Sequence, residues 1–326
     1  MLVLRVERRR ILRSNGAIEM NDYRLLSYQG ESGPTAGILI GDRVQDASEL
    51  LGVGEPGYGV LDILGRWDDH RPTLERAAAS PPSGGKPLDT LELLAPLLYP
   101  PTVYYTGANY WDHVLEMAEV NRDADGNLPS TEKPEDPWLN IKASHSTVIG
   151  PGAPIRLPHF SNEVDWEAEI AMVVGRKARN LAPENAIECL AGFTIANDLS
   201  ARDFLKREGS IFVWDWLAQK CFDGSTPLGP WITPLSAIPD PKSMAIQLWV
   251  NGELKQDSNS SQLVHDFVEL LVYLSLHVTL QPGDVILTGT PAGVGFPTGT
   301  FLKAGDVVRI ELEGCGVLEN PVMGGD

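Results

Sequence analysis

Long apolar runs are missing from the 326-residue chain. None approaches the roughly 18 residues that a membrane-spanning helix requires, and the opening MLVLRVERRRILRSNG lacks the longer apolar stretch of a secretory leader. Cysteine is scarce. Cys189, Cys221 and Cys315 lie far apart and form no CxxC pair, which argues against a disulfide framework and fits free thiols in a reducing compartment. A cytoplasmic location is therefore expected. Positive charge is also under-represented, with 26 Lys and Arg against 44 Asp and Glu, a net charge of −18. Nucleic-acid binding depends on clustered cations that displace counterions, so neither nucleic acid nor membrane is expected as a partner. No GK[ST] triplet is present, which removes the P-loop reading. An anionic surface repels anionic substrates, so a site for acids needs local positive charge, and a bound cation would supply it.

What is present suffices for a real core, since 43% of the residues are hydrophobic. Residues 1–20 are basic and unpatterned and end at a second methionine, Met20, so they read as a disordered extension or an upstream start. Over residues 21–98, YRLLSYQ and TAGILIG read as strands and VLDILGRW and TLERAAAS as helices, giving a small α+β domain. The strand-and-helix pattern of this unit ends at SPPSGGKP, residues 80–87, whose Pro and Gly content marks a linker or an exposed loop. Residues 99–326 form the larger domain. A buried strand leads into a helix around Trp111 to Val120, and Asn121 to Pro137 follows as a long polar loop, either a lid or binding segment or a plain surface insertion. Beyond Pro158 strands dominate, among them EIAMVVG, FTIAND, AIQLWVNG, DVILTG and DVVRIELEG, with helices only at PENAIECL and LVHDFVELLVYLSLH. Many strands with few interleaved helices predict an α+β, β-rich fold with antiparallel or mixed sheets, not a doubly wound parallel one.

In NEVDWEAEIAMVVG, acids stand at every second position: Glu163, Asp165, Glu167 and Glu169. An extended strand would turn all four to one face. Such a row is tolerable on a solvated edge, or with a cation among the oxygens. The apolar run that follows marks a buried strand, and an unpaired buried charge is strongly unfavourable. Asp198, ending the apolar FTIAND, offers a third oxygen ligand. Oxygen-only ligation suits Mg²⁺ or Mn²⁺ and disfavours zinc.

Read together, TGANYWDHVLEM, DWEAEIAMVVG, NDLSARD and LTGTPAGVG resemble the fumarylacetoacetate hydrolase superfamily, its acylpyruvase and 2-oxohepta-3-ene-dioate hydratase/isomerase group. The resemblance covers about Tyr99 to Val322. It implies a mixed β-sandwich or β-roll catalytic domain, a homodimer, and one divalent metal per subunit on Glu167, Glu169 and Asp198. Glu163 and Asp165 then become ordinary acids at the strand entry. The resemblance also assigns His113 and Glu116 as a proton-transfer dyad, consistent with three-residue spacing on one helix face. Lys220 matches a buried lysine that neutralises oxygen charge on the substrate. Arg202 is equally suited to holding the metal loop or binding the substrate carboxylate, and Thr290 resembles a residue that contacts that carboxylate. One departure stands out: hydrolytic relatives often carry Gln where this chain has Leu205, leaving oxyanion binding to Lys220 alone, or to Lys206 or Arg207 if either swings in.

The resemblance implies hydrolysis of a C–C bond in a small 2,4-dioxo acid, an acylpyruvate or fumarylacetoacetate-like substrate. The same residues support a decarboxylase, hydratase or isomerase acting on a 2-oxo acid, and Leu205 strengthens that alternative. A non-catalytic metal-binding protein is a third class, disfavoured by the dyad and Lys220, which a structural site does not need. Deleting residues 1–20 is expected to leave melting temperature and turnover nearly unchanged. A loss of several degrees would show that the extension packs on the core.

Overall fold

A computed structural model describes residues 22–325 apart from position 56. The extension expected over residues 1–20 lies outside the described residues. The principal strands in chain order are β1 (Tyr23–Gly30), β2 (Gly33–Ile40), β3 (Arg43–Asp46), β4 (Val103–Thr106), β5 (Leu139–Lys142), β6 (Ala168–Val174) and β7 (Leu190–Asn197). They continue with β8 (Thr226–Pro234), β9 (Ala245–Val250), β10 (Glu253–Asn259), β11 (Val285–Leu287), β12 (Val307–Leu312) and β13 (Gly316–Met323). The helices used below are α1 (Trp67–Ala79), α2 (Trp111–Val120), α3 (Trp216–Lys220) and α4 (Phe267–His277).

A 12-stranded sheet runs in the order β3, β2, β1, β8, β7, β6, β11, β4, β5, with short strands at its margins. Most neighbours are antiparallel, whereas β11 and β4 are parallel, so the sheet is mixed. A second, five-stranded sheet runs β10, β9, β12, β13 and ends on Ile155–Arg156. The result is the β-rich α+β architecture anticipated from the strand pattern.

Strand β6 shows how the cores are arranged. Side chains alternate across a strand, and both faces of this one are buried. Ile170, Met172 and Val174 point into a core shared with Ile246, Leu248, Ile310 and Leu312 of the second sheet. Ala171 and Val173 point into another core, built with Leu25, Ile38, Trp67 and Leu74 from the N-terminal segment. The uninterrupted apolar run EIAMVVG is the direct consequence.

The helix at Trp111–Val120 forms where the sequence places it. Helix α4 starts at a reciprocal cap, in which Asp266 Oδ1 accepts from the Glu269 N–H and Glu269 Oε2 accepts from the Asp266 N–H. PENAIECL behaves differently: only Ala186–Cys189 forms a single 3₁₀ turn. Pairing with β6 claims the chain from Leu190 onward and ends the helix early.

The same topology positions the site. Antiparallel pairing of β6 with β7, with Ala168 opposite Asn197, sets the start of β6 beside the end of β7. Strand β11 lies on the other flank of β6 and exits at this end, where the Thr288 N–H meets the Ile170 carbonyl. Strand β4 runs parallel to β11 and delivers the chain into α2. Four segments therefore converge at one end of the sheet. Phe193, fully buried in the middle of β7 and 5.1 Å from Phe267 between ring centroids, packs that strand against α4. Phe193→Ala is expected to cost about 3–5 kcal/mol, read as a lower denaturant midpoint at unchanged slope.

Candidate active site and metal centre

Glu167, Glu169 and Asp198 meet at this end, each buried and each offering an oxygen within 4.8 Å of the others. The alternating acids do not occupy one unbroken strand, however. Val164–Asp165 pairs with Ser200–Ala201 in a separate ladder, Trp166 and Glu167 form a link, and β6 begins at Ala168. In that link the Glu167 N–H donates to the Asn197 side chain.

Three cations surround the acids. Lys220 Nζ lies 2.6 Å from Glu167 Oε2 and 2.5 Å from Asp198 Oδ2, and also donates to the Asp198 carbonyl. Lys142 Nζ lies 2.6 Å from Asp198 Oδ1. Arg202 Nε donates to Asp165 Oδ2, and its Nη2 lies 2.7 Å from Glu167 Oε1, an ion pair whose approach is off the line of a hydrogen bond. Burial pushes the Glu167 carboxyl up, but Lys220 and Arg202 outweigh it and hold the group at about 2.

Glu169 is the exception. It makes no ion pair among the described residues; Oε2 accepts from the Gly289 N–H at 2.6 Å, and Oε1 has no partner. Burial, reinforced by the charges of Asp198 and Glu167, raises its carboxyl well above the ordinary value. A buried polar atom without a partner calls for a specific explanation. Three hard oxygen donors with one uncompensated carboxylate and one orphaned oxygen fit a divalent cation such as Mg²⁺ or Mn²⁺.

His113 and Glu116 sit one turn into α2, with Nδ1 and Oε2 2.9 Å apart. Glu116 Oε1 accepts from the Gly293 N–H, also at 2.9 Å, so both carboxylate oxygens act as acceptors and Nδ1 carries the proton. Gly293 has φ +98°, and a Cβ there would lie 1.9 Å from the Lys255 carbonyl oxygen. Only glycine lets this loop come so close. The helix start is fixed to the same loop through Asp112, which accepts from Ala292 N–H and Ser258 Oγ. His113 is near enough to Glu167 to help lower its carboxyl.

The remaining candidates divide by orientation. Thr290 Oγ1 donates to the Ala168 carbonyl and accepts from Gln256 Nε2, which ties the GTP loop to the strand. Lys206 lies over the Trp214 ring and Arg207 pairs with Asp215; neither pairs with the three acids. Asp165 is not an ordinary entry acid. It is fully buried, pairs with Arg202 and accepts from the Gly295 and Phe296 N–H groups. Lys142 was not singled out in WLNIKASHS, where nothing local distinguishes it; β5 pairing with β4 brings it to Asp198.

A raised Glu169 means that the folded state keeps a proton the unfolded chain releases, so metal-free stability falls as pH rises above the ordinary value of 4.5. A cation replaces that proton. The rise in melting temperature on adding Mn²⁺ should therefore be larger at roughly pH 8 than at roughly pH 5. Equal shifts would show that Glu169 does not contact the ion.

The sequence profile of the fumarylacetoacetate (FAA) hydrolase C-terminal family matches residues 102–323. A Xenopus laevis protein, oxaloacetate tautomerase fahd2, mitochondrial, is 43% identical over 236 residues, 72% of this chain and 69% of that one. The crystal structure of maleylpyruvate hydrolase from Sphingobium sp. SYK-6, in complex with manganese(II) ion and pyruvate, is 29% identical with a TM-score of 0.71, over 93% of this chain and 100% of that one. 5-Carboxymethyl-2-hydroxymuconate delta-isomerase from Mycobacterium smegmatis is 31% identical with a TM-score of 0.68, over 93% and 99% of the two chains. By profile, sequence and structure together, this chain belongs to the fumarylacetoacetate hydrolase family.

Proposed function

We propose that this chain is a divalent-metal-dependent enzyme that interconverts the enol and keto forms of a small 2-oxo acid, with oxaloacetate as the working substrate. The observation that carries this reading is a proton-carrying dyad set on the same loop cluster as buried carboxylates with one orphaned oxygen. The 43% identity to a relative named oxaloacetate tautomerase supports the substrate class.

A divalent cation held by Glu167, Glu169 and Asp198 would supply Lewis acidity at the 2-oxo carbonyl and positive charge against the acid's carboxylate. The chain's own residues handle the proton. With Nδ1 fixed as donor to Glu116, Nε2 is the basic nitrogen of His113. It removes a proton from C3 of the keto form and returns one to C3 of the enol, while the C2 oxygen gains or loses its own proton. Lys220 and Lys142 hold Asp198 from two sides, and Arg202 spans Asp165 and Glu167. Thr290 acts in this reading by securing the entry to β6.

Hydrolysis of a C–C bond in a 2,4-dioxo acid is the second reading, favoured by the structural similarity to maleylpyruvate hydrolase. There the dyad would activate a water against the distal carbonyl. Leu205 stands where hydrolytic relatives often carry glutamine, and the 43% identity to a relative named oxaloacetate tautomerase exceeds the 29% to maleylpyruvate hydrolase, so the tautomerase reading is preferred. Assays with Mg²⁺ on oxaloacetate enol and on acylpyruvates separate the two. Acylpyruvate cleavage without acceleration of ketonisation would replace the first reading with the second.

Glu116→Gln tests the dyad. Its amide oxygen can still accept from the Gly293 N–H, but its NH₂ then donates to Nδ1 and forces the histidine proton onto Nε2. The base is lost with little change in shape. Turnover should fall roughly 100- to 10,000-fold, with melting temperature and Mn²⁺ affinity hardly moved. Full turnover would remove the assigned role, and loss of metal would mean that Glu116 belongs among the ligands.

A further inference from the structure

An oxygen on C4 is common to both substrate classes above, as a carboxylate in oxaloacetate and as a carbonyl in a 2,4-dioxo acid. Negative charge spreads toward it when C3 loses a proton, so a donor there would favour the reaction. An ammonium has three donor protons, and those of Lys220 are directed at Glu167 Oε2, Asp198 Oδ2 and the Asp198 carbonyl. Lys142 is likewise occupied by Asp198 and the Ser225 carbonyl. Arg202 faces Asp165 and Glu167. A further donor beside these cations would serve that oxygen.

Tyr105 on β4 is 2% exposed, and its hydroxyl has no hydrogen-bond partner. Its ring lies beneath Lys220 Nζ, 5.5 Å from centroid to nitrogen. The ring is held at its edge by Trp138, centroids 5.9 Å apart, and Trp138 packs at 4.6 Å on Trp216. A buried phenol ordinarily finds a partner. This one is rigidly placed, lies close enough to Asp198 and Glu167 to feel their charge, and has no partner within the protein. We propose that Tyr105 is a catalytic residue that donates its hydroxyl hydrogen bond to the oxygen on substrate C4. Burial, with the charges of Asp198 and Glu167, raises the phenol far above its ordinary value and keeps it protonated as a donor.

The inference rests on the 2-oxo acid reading, and the test separates the two. Tyr105→Phe removes only the hydroxyl, and kcat/KM for oxaloacetate ketonisation should fall roughly 100- to 1,000-fold, the usual effect of losing one such donor. Affinity for oxalate in the presence of Mn²⁺ should stay within about twofold, because oxalate has no C4 oxygen. The melting temperature should not drop, since no protein hydrogen bond is lost. Turnover within about twofold of wild type, or a parallel loss of oxalate affinity, would overturn the assignment. If wild-type protein neither ketonises oxaloacetate nor binds oxalate, the 2-oxo acid reading fails, and the Tyr105 assignment fails with it.

Discussion

Burying like charges together is the constraint on which the rest of this structure depends. Glu167, Glu169, Asp198 and Asp165 are withdrawn from water at one end of a sheet, where each uncompensated charge would be strongly unfavourable. Lys142, Lys220 and Arg202 answer three of them, and each arrives on a different segment: β5, the end of α3, and the turn after Ser200–Ala201. The packing of these segments is thus coupled to the charge balance of the site. Removing one cation would leave a buried acid exposed to its neighbours, while removing one acid would strand a buried cation.

Compensation stops one charge short, and the location of the shortfall matters more than its size. Glu169 lies on the strand buried on both faces, where neither water nor a flexible side chain can approach easily. Its neighbours therefore favour a proton or a small cation at this point. The loop after β11 supplies only one N–H, to Oε2, and leaves Oε1 free. A site fully satisfied by lysines would have been more stable without metal, but would have had no reason to bind one.

Much of this was legible in the sequence, and the omissions have identifiable causes. Alternating acids before an apolar run pointed to Glu167 and Glu169, which the fold gathers with Asp198, because the period of a strand is a local property. Their placement on one unbroken strand did not hold, because the chain changes ladder at Trp166 and Glu167, a tertiary event. Asp165 was misread for the same reason: its partners, Arg202 and the Gly295 loop, are far away in sequence. Strand β8 also escaped the pattern. It carries Pro227, Pro230 and Pro234, which cannot donate to a ladder, yet it lies between β1 and β7. Its pairing is correspondingly sparse, with one register pair to β1 and a bulged ladder to β7.

The same distinction between local and tertiary information bears on reaction type. The carboxylates, the dyad and the glycine loop are compatible with several reactions through one enolate-like charge distribution, so they do not by themselves choose among them. Choice depends on which hydrogen-bond donors remain free once the carboxylate cluster is satisfied. Lys220 is matched by sequence to a substrate-neutralising role, and the fold sets its ammonium against Glu167 and Asp198, a placement visible only in three dimensions. Tyr105 carries no motif in VYYTG and would be read as core, yet its hydroxyl is the buried donor left without a partner beside Lys220. Differences in reaction would then follow from the donors around the carboxylate cluster, residues whose type matters only after the fold has placed them.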